Sequence, residues 1–284
     1  MKLRVNREYK DALFSALFNN PEGALELYNA LNGSSYTDPS MIEIVTLEEG
    51  IYLGMLNDVS FILSYDLNLF EHQSTENPNM PLRGFFYFAA QYQKLLEHNY
   101  DDIYGRRKVS LYTPRFIVFC NDPTMTVDHK ELKLSDLFSR GGGDLECIAH
   151  VLNINSGHNR ELMEKSERLL GYAELNARVR NNYKHSKDLS SSIQLAVDSC
   201  IKDGILADFL KANKMGVIGM ILEEYTLEKQ LERVQHNSYE EGHSEGRTEL
   251  FSCIQRLKNG ESESSILASG MPADTLELAK EALK

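Results

Sequence analysis

Between residues 58 and 120 the chain sets short apolar runs around one long helical pattern, and that arrangement leaves few folds open. DVSFILSY (58–65), LNLFEHQ (67–73) and RFIVFC (115–120), like IEIVTL (42–47) before them, are short and rich in β-branched and aromatic residues. The runs 58–65 and 67–73 meet at Tyr65-Asp66, which predicts a hairpin without the strongest turn dipeptides. A polar loop, STENPNMP (74–81), leads into a helix over 82–97 carrying Phe85, Phe86, Phe88, Ala89, Tyr92 and Leu96. The result is a mixed sheet with one inserted helix.

The flanks read as helical. Residues 7–19 place Tyr9, Leu13, Phe14, Leu17 and Phe18 on one apolar stripe. A second helix, 21–31, opens on Pro21 and stops at Asn32-Gly33. From about residue 157 onward, 158–181, 190–213 and 215–235 are amphipathic. Gly242 and Gly246 interrupt 237–249, each costing about 1 kcal/mol against alanine in a helix. A flexible connector and a helix packed along a glycine edge both stay open there. Two short helices follow, around Ser269-Gly270-Met271-Pro272. The expected fold is α/β, a mixed central sheet flanked by helices with a helical C-terminal extension. The divisions are 1–185 for the sheet domain, 186–236 for the extension, and 237–284 for the connector and helical hairpin.

Composition narrows the class. With 42% hydrophobic and 25% charged residues over 284 positions, this is a globular chain and not a disordered one. The N-terminal MKLRVNREYKDALFSALF lacks a signal peptide's apolar run, and no stretch approaches the roughly 18 apolar residues of a membrane span. A cytoplasmic protein without a membrane partner is expected. Cys120, Cys147, Cys200 and Cys253 form no CxxC pair and read as buried reduced thiols. The histidines form no zinc spacing. A net charge of −12 opposes a generic nucleic-acid coat but not an enzyme with a local basic groove.

The chemistry concentrates on the hairpin. Glu71 and Gln73 share one face of their strand while His72 points away. Pairing about Tyr65-Asp66 sets Asp58 roughly opposite Gln73, within reach of Glu71 if it lies on the same face. Two carboxylates at a sheet end suit a hard cation such as Mg²⁺, with Mn²⁺ as a substitute.

The run NDVSFILSYDLNLFEHQSTENPNMPLRGFFYFAAQYQKLL resembles the recombination-promoting nucleases or putative transposases, a branch of the PD-(D/E)XK nuclease superfamily. TPRFIVFCND, LKLSDLF, LNINSGHNRELM and LAVDSCIKDGILADFL, with YKDALFSALF and ELYNALNGSSYTDP before them, extend the resemblance over nearly all of residues 5–235. It implies a restriction-endonuclease-like core and an Mg²⁺-dependent DNA endonuclease associated with recombination or transposition. Asp58 matches the family's metal-binding aspartate, and Glu71 the acidic residue of its (D/E)xK element. Gln73 stands where that element usually has lysine, so the site has a neutral donor in place of a full charge. Glu26 matches a helix-borne acidic residue that helps position metal or water; the competing reading is an exposed carboxylate.

Further candidates surround this cluster. The resemblance also implies a site-facing, DNA-binding residue on the long helix, for which Gln91 is the candidate, and Arg83, opening that helix, could hold a DNA phosphate. Arg106-Arg107-Lys108 is the densest basic run and a second candidate phosphate contact. Gly141-Gly142-Gly143 reads as a flexible loop, without a nucleotide-binding motif. The terminal helical pair is too acidic for a DNA-recognition helix and suits protein contact or structure. Two other functions remain open: a nuclease-fold protein that binds DNA or assembles without cutting, and a homo-oligomer formed through the C-terminal helices.

Overall fold

The computed structural model describes residues 12–47, 57–99 and 103–283, the side chains of 227–248 excepted. Tyr9 and the first turn of the expected 7–19 helix lie outside the described residues. Helix α1 (Ala12–Phe18) is followed by α2 (Pro21–Asn32), whose ends are set locally. Asn20 Oδ1 accepts from the Gly23 N–H at 2.9 Å, Pro21 presets the first turn, and Gly33 closes the helix at φ 62°.

Strands β1 (Glu43–Ile44), β2 (Val59–Leu63) and β3 (Asp66–Gln73) come next, then the long helix α3 (Met80–His98) and β4 (Thr113–Cys120). Strands β5 (His129–Lys133) and β6 (Ile148–Asn153) complete a six-stranded sheet in the order β1-β2-β3-β4-β6-β5. Pairing is antiparallel for β1/β2, β2/β3 and β5/β6, and parallel for β3/β4 and β4/β6. The fold is therefore α/β, a mixed sheet flanked by helices. Sequence patterning does not reveal β5: HKELK is a charged strand at the sheet edge, where water covers one side and charge guards against edge pairing.

Strand parity divides the core into two layers. Leu67 and Leu69 of β3 and Phe116 and Val118 of β4 pack with Met80, Tyr87 and Phe88 of α3. Helix and sheet approach so closely that a Cβ on Gly84 would sit 2.4 Å from the Phe116 ring. The other face is aromatic: Phe61, Phe70 and Phe119 meet edge to face in sequence, with ring centroids 5.1 and 5.7 Å apart, and Phe14 of α1 and Tyr28 of α2 close over them.

The helical half breaks where polar residues compete for the backbone. The expected helix over 158–181 divides into α4 (Arg160–Lys165) and α5 (Glu167–Ser186) because Ser166 leaves the helical region and its Oγ accepts from the Leu169 N–H. The expected 190–213 helix likewise stops: α6 (Leu189–Lys202) ends at Asp203-Gly204, with Gly204 at φ 82°. Helix α7 (Ala207–Lys258) resumes, with a non-helical residue at Asn213, and its backbone is helical through 237–249. Cys120, Cys200 and Cys253 are buried and reduced, while Cys147 is only half-buried. Among the described residues no helix is long and apolar enough to cross a membrane.

The chain divides into two compact units, 1–224 and 225–284. Within the second, α8 (Glu263–Ala268) and α9 (Ala273–Glu281) bury Ile266, Leu276 and Ala279 against Cys253. An Arg256–Glu261 pair holds the turn before α8 with two bonds, Nε–Oε2 at 2.7 Å and Nη2–Oε1 at 2.6 Å. The hydrogen bond from Arg256, then that from Ser265, pulls the Glu261 carboxyl down from 4.5 to about 2. A depressed carboxylate stabilises the fold above its ordinary pKa and loses that contribution as pH falls through the folded value. The Glu261 side-chain carbonyl, followed by carbon-detected NMR, is expected to titrate with a midpoint near 2 and to return to the ordinary glutamate range in Arg256→Gln.

Candidate active site

The hairpin turns at Ser64-Tyr65, one residue earlier than the sequence pattern suggests, with Ser64 at φ 57°. Register follows from the turn: Val59 pairs with Phe70, so Asp58, one step beyond the ladder, lies across from Glu71 and not from Gln73. The correction brings the two carboxylates closer. Each grips the other's strand: the Asp58 N–H donates to Glu71 Oε1 at 3.0 Å, and the His72 N–H donates to Asp58 Oδ2 at 2.8 Å. Asp58 is 4% and Glu71 1% exposed. His72 turns to the opposite face, as parity requires, and its ring packs on Phe14 and Tyr172.

Helix α3 delivers a cation to this cluster. Arg83 Nη2 donates to Glu71 Oε2 at 2.8 Å and to the Tyr87 hydroxyl at 2.9 Å. Only one amide orientation of Gln73 satisfies both its ends: Oε1 then accepts from Arg83 Nη1 at 3.0 Å, and Nε2 donates to the Thr75 carbonyl at 3.1 Å. Burial alone would lower the Arg83 pKa, but Glu71 first, then Tyr87 and Asp58, hold it above the ordinary arginine value. Burial, followed by the charge of Glu71, pushes the Tyr87 hydroxyl up, so Tyr87 serves as a neutral hydrogen-bonding group.

The remaining candidates separate. Gln91 is buried on the same sheet face, but its Nε2 donates to Ser60 Oγ at 2.5 Å, two residues along β2 from Asp58. Asn57 donates to the same hydroxyl at 2.7 Å, a polar pairing that short-range sequence pattern does not show. Glu26 is not brought to the cluster. Its Oε1 accepts from Ser166 Oγ at 2.8 Å and from the Arg168 N–H at 3.0 Å, and its Oε2 pairs with Arg168 Nη1 at 2.9 Å. A carboxylate there complements the N-terminus of α5. Arg106, Arg107 and Lys108 are exposed on the loop entering β4 at Thr113. Because β3 and β4 are parallel, that loop meets the Asp66 end of the ladder, on the order of 20 Å from its Gln73 end. The basic run and the carboxylates therefore stand at opposite ends of the sheet.

The neighbouring carboxylate, Asp122, is engaged structurally. Its Oδ2 accepts from the Glu76 N–H at 2.9 Å, and its Oδ1 takes the Thr124 amide and hydroxyl at 2.8 and 2.6 Å. Asp58 and Glu71 thus form a two-carboxylate set, and among the described residues no three His, Cys, Asp or Glu side chains gather in metal-binding geometry. Carboxylate oxygens are the hard donors that a divalent cation takes, and here Glu71 Oε1, Glu71 Oε2 and Asp58 Oδ2 also accept hydrogen bonds from the protein. No family model, no curated protein and no solved structure matches this chain.

Proposed function

We propose that this chain is a metal-dependent DNA endonuclease with a restriction-endonuclease-like core, hydrolysing phosphodiesters in a recombination or transposition setting. One observation carries the reading: a hairpin register that sets Asp58 against Glu71, with Gln73 and Arg83 on the same sheet face. The resemblance of residues 57–96 to the recombination-promoting nucleases, read on the sequence, points to the same two carboxylates. Asp58 and Glu71 would hold the cation, which supplies Lewis-acid charge at a phosphodiester when bound. The Asp58 amide holds Glu71 and the His72 amide holds Asp58, so both carboxylates are preorganised by backbone groups that do not react. Gln73, at the position where the resemblance implies lysine, is neutral and spends its amide on Arg83 and the Thr75 carbonyl.

A second reading, a nuclease-fold protein that binds DNA without cutting it, draws on the pairing of Glu71 Oε2 with Arg83 inside the protein. Plasmid nicking and thermal stability in Mg²⁺ or Mn²⁺ separate the two. Wild type is expected to nick supercoiled DNA and to gain about 2.7 kcal/mol of apparent stability at cation concentrations 100 times the Kd. Asp58→Asn keeps an acceptor for the His72 amide, removes the charge, and is expected to lose both responses. DNA binding without either response in wild type selects the second reading. Undiminished nicking by Asp58→Asn removes the first.

A further inference from the structure

We propose that Arg83, from the first turn of α3, supplies the fixed positive charge that the Glu71-His72-Gln73 strand end itself lacks. The inference rests on the nuclease reading above. Gln73 alone leaves the site with two carboxylates and no fixed cation on β3, and a neutral amide cannot offset charge developing on a phosphoryl group as a cation does. Arg83 is placed to correct this. It is bonded to Glu71 and to Gln73 itself, so its charge is fixed against both side chains on this face of the strand end. The guanidinium is held from several sides: Nη2 by Glu71 and Tyr87, Nη1 by Gln73 and by Met80 Sδ at 3.5 Å. A fork clamped in this way is a fixed charge, unlike a solvated surface arginine. Its side chain is still 27% exposed, whereas Glu71 is 1% exposed, so Arg83 is the more solvent-facing member of the pair.

Two consequences follow from charge counting. With Arg83 present, a lysine at position 73 would be a second cation beside the same two carboxylates and would oppose metal binding. Without Arg83, that lysine would restore the original balance. The experiment compares wild type, Arg83→Met, Gln73→Lys and the double variant by plasmid nicking and by calorimetric titration with Mn²⁺.

Arg83→Met is expected to nick at least about 100-fold more slowly, the scale of losing one preorganised electrostatic donor. It should bind Mn²⁺ more tightly, because Glu71 loses a competing cation. The double variant is expected to nick within about tenfold of wild type, and Gln73→Lys alone to bind Mn²⁺ about tenfold more weakly. A purely structural arginine gives no rescue by lysine at 73, so a double variant no faster than Arg83→Met overturns the proposal. Wild-type nicking by Arg83→Met overturns it as well. Should Arg83→Met fail to fold, Gln73→Lys decides alone, and unchanged Mn²⁺ affinity there overturns it. A wild type that neither nicks nor binds Mn²⁺ removes the nuclease reading and this inference with it; rescue failing in an active background removes this inference alone.

Discussion

Glu71→Ala is expected to lower the unfolding free energy by about 3–5 kcal/mol, the cost of stranding one partner of a buried ion pair. Arg83, paired with Glu71 at 2.8 Å, would keep its charge in a largely enclosed position without its carboxylate. The Asp58 N–H, bonded to the same side chain at 3.0 Å, would lose its acceptor. Partial exposure of Arg83 lets water repay part of this, which favours the lower end of the range. For a unit of this size the melting temperature should fall by roughly 10 °C, and nicking should vanish. Combining Glu71→Ala with Arg83→Met removes both charges and is expected to recover much of the stability but no cleavage. Additive losses in the double variant would show that the two side chains are not energetically coupled.

Phe14→Ala is expected to cost about 3–5 kcal/mol for a different reason, the cavity left by a fully buried ring. Phe14 is 0% exposed, and its ring lies 4.8 Å from Phe18, 5.5 Å from Phe119, 5.6 Å from Tyr172 and 5.9 Å from His72. The last neighbour links this core to the chemistry, since His72 packs its ring on the opposite face of the sheet while its backbone amide holds the Asp58 carboxylate. Nicking by Phe14→Ala, measured well below its melting temperature and normalised to folded protein, should therefore also fall. Phe14→Leu should lose less of both. Lost stability with unchanged nicking per folded molecule would show that the core does not transmit to Asp58.

What could be read from the sequence was local. The α2 stop at Gly33 and the separation of His72 from Glu71 and Gln73 need only caps and strand parity, and both hold in the fold. The register did not follow, because Ser64-Tyr65 carries no glycine or asparagine to mark the turn and Ser64 adopts a conformation unusual for its type. Strand β5 was hidden by its charged edge, and the division of α4 from α5 by a serine whose capping role pattern alone does not reveal. Glu26 could not be placed because its partners, Ser166 and Arg168, lie 140 and 142 residues away. The helix-start position of Arg83 suggests a phosphate contact; its inward pairing with Glu71 depends on how α3 crosses β3, which only tertiary packing determines.

The reciprocal grip between Asp58 and Glu71 makes the end of the hairpin a spectroscopic witness to its own chemistry. Each carboxylate holds a backbone amide at the strand end, Glu71 that of Asp58 and Asp58 that of His72. Those two amide protons exchange with deuterium when the carboxylates release them. Their exchange rates therefore register, without any substrate, whether the hairpin end and the acidic pair are assembled together, so opening of the strand and dismantling of the site are one event seen by two labels.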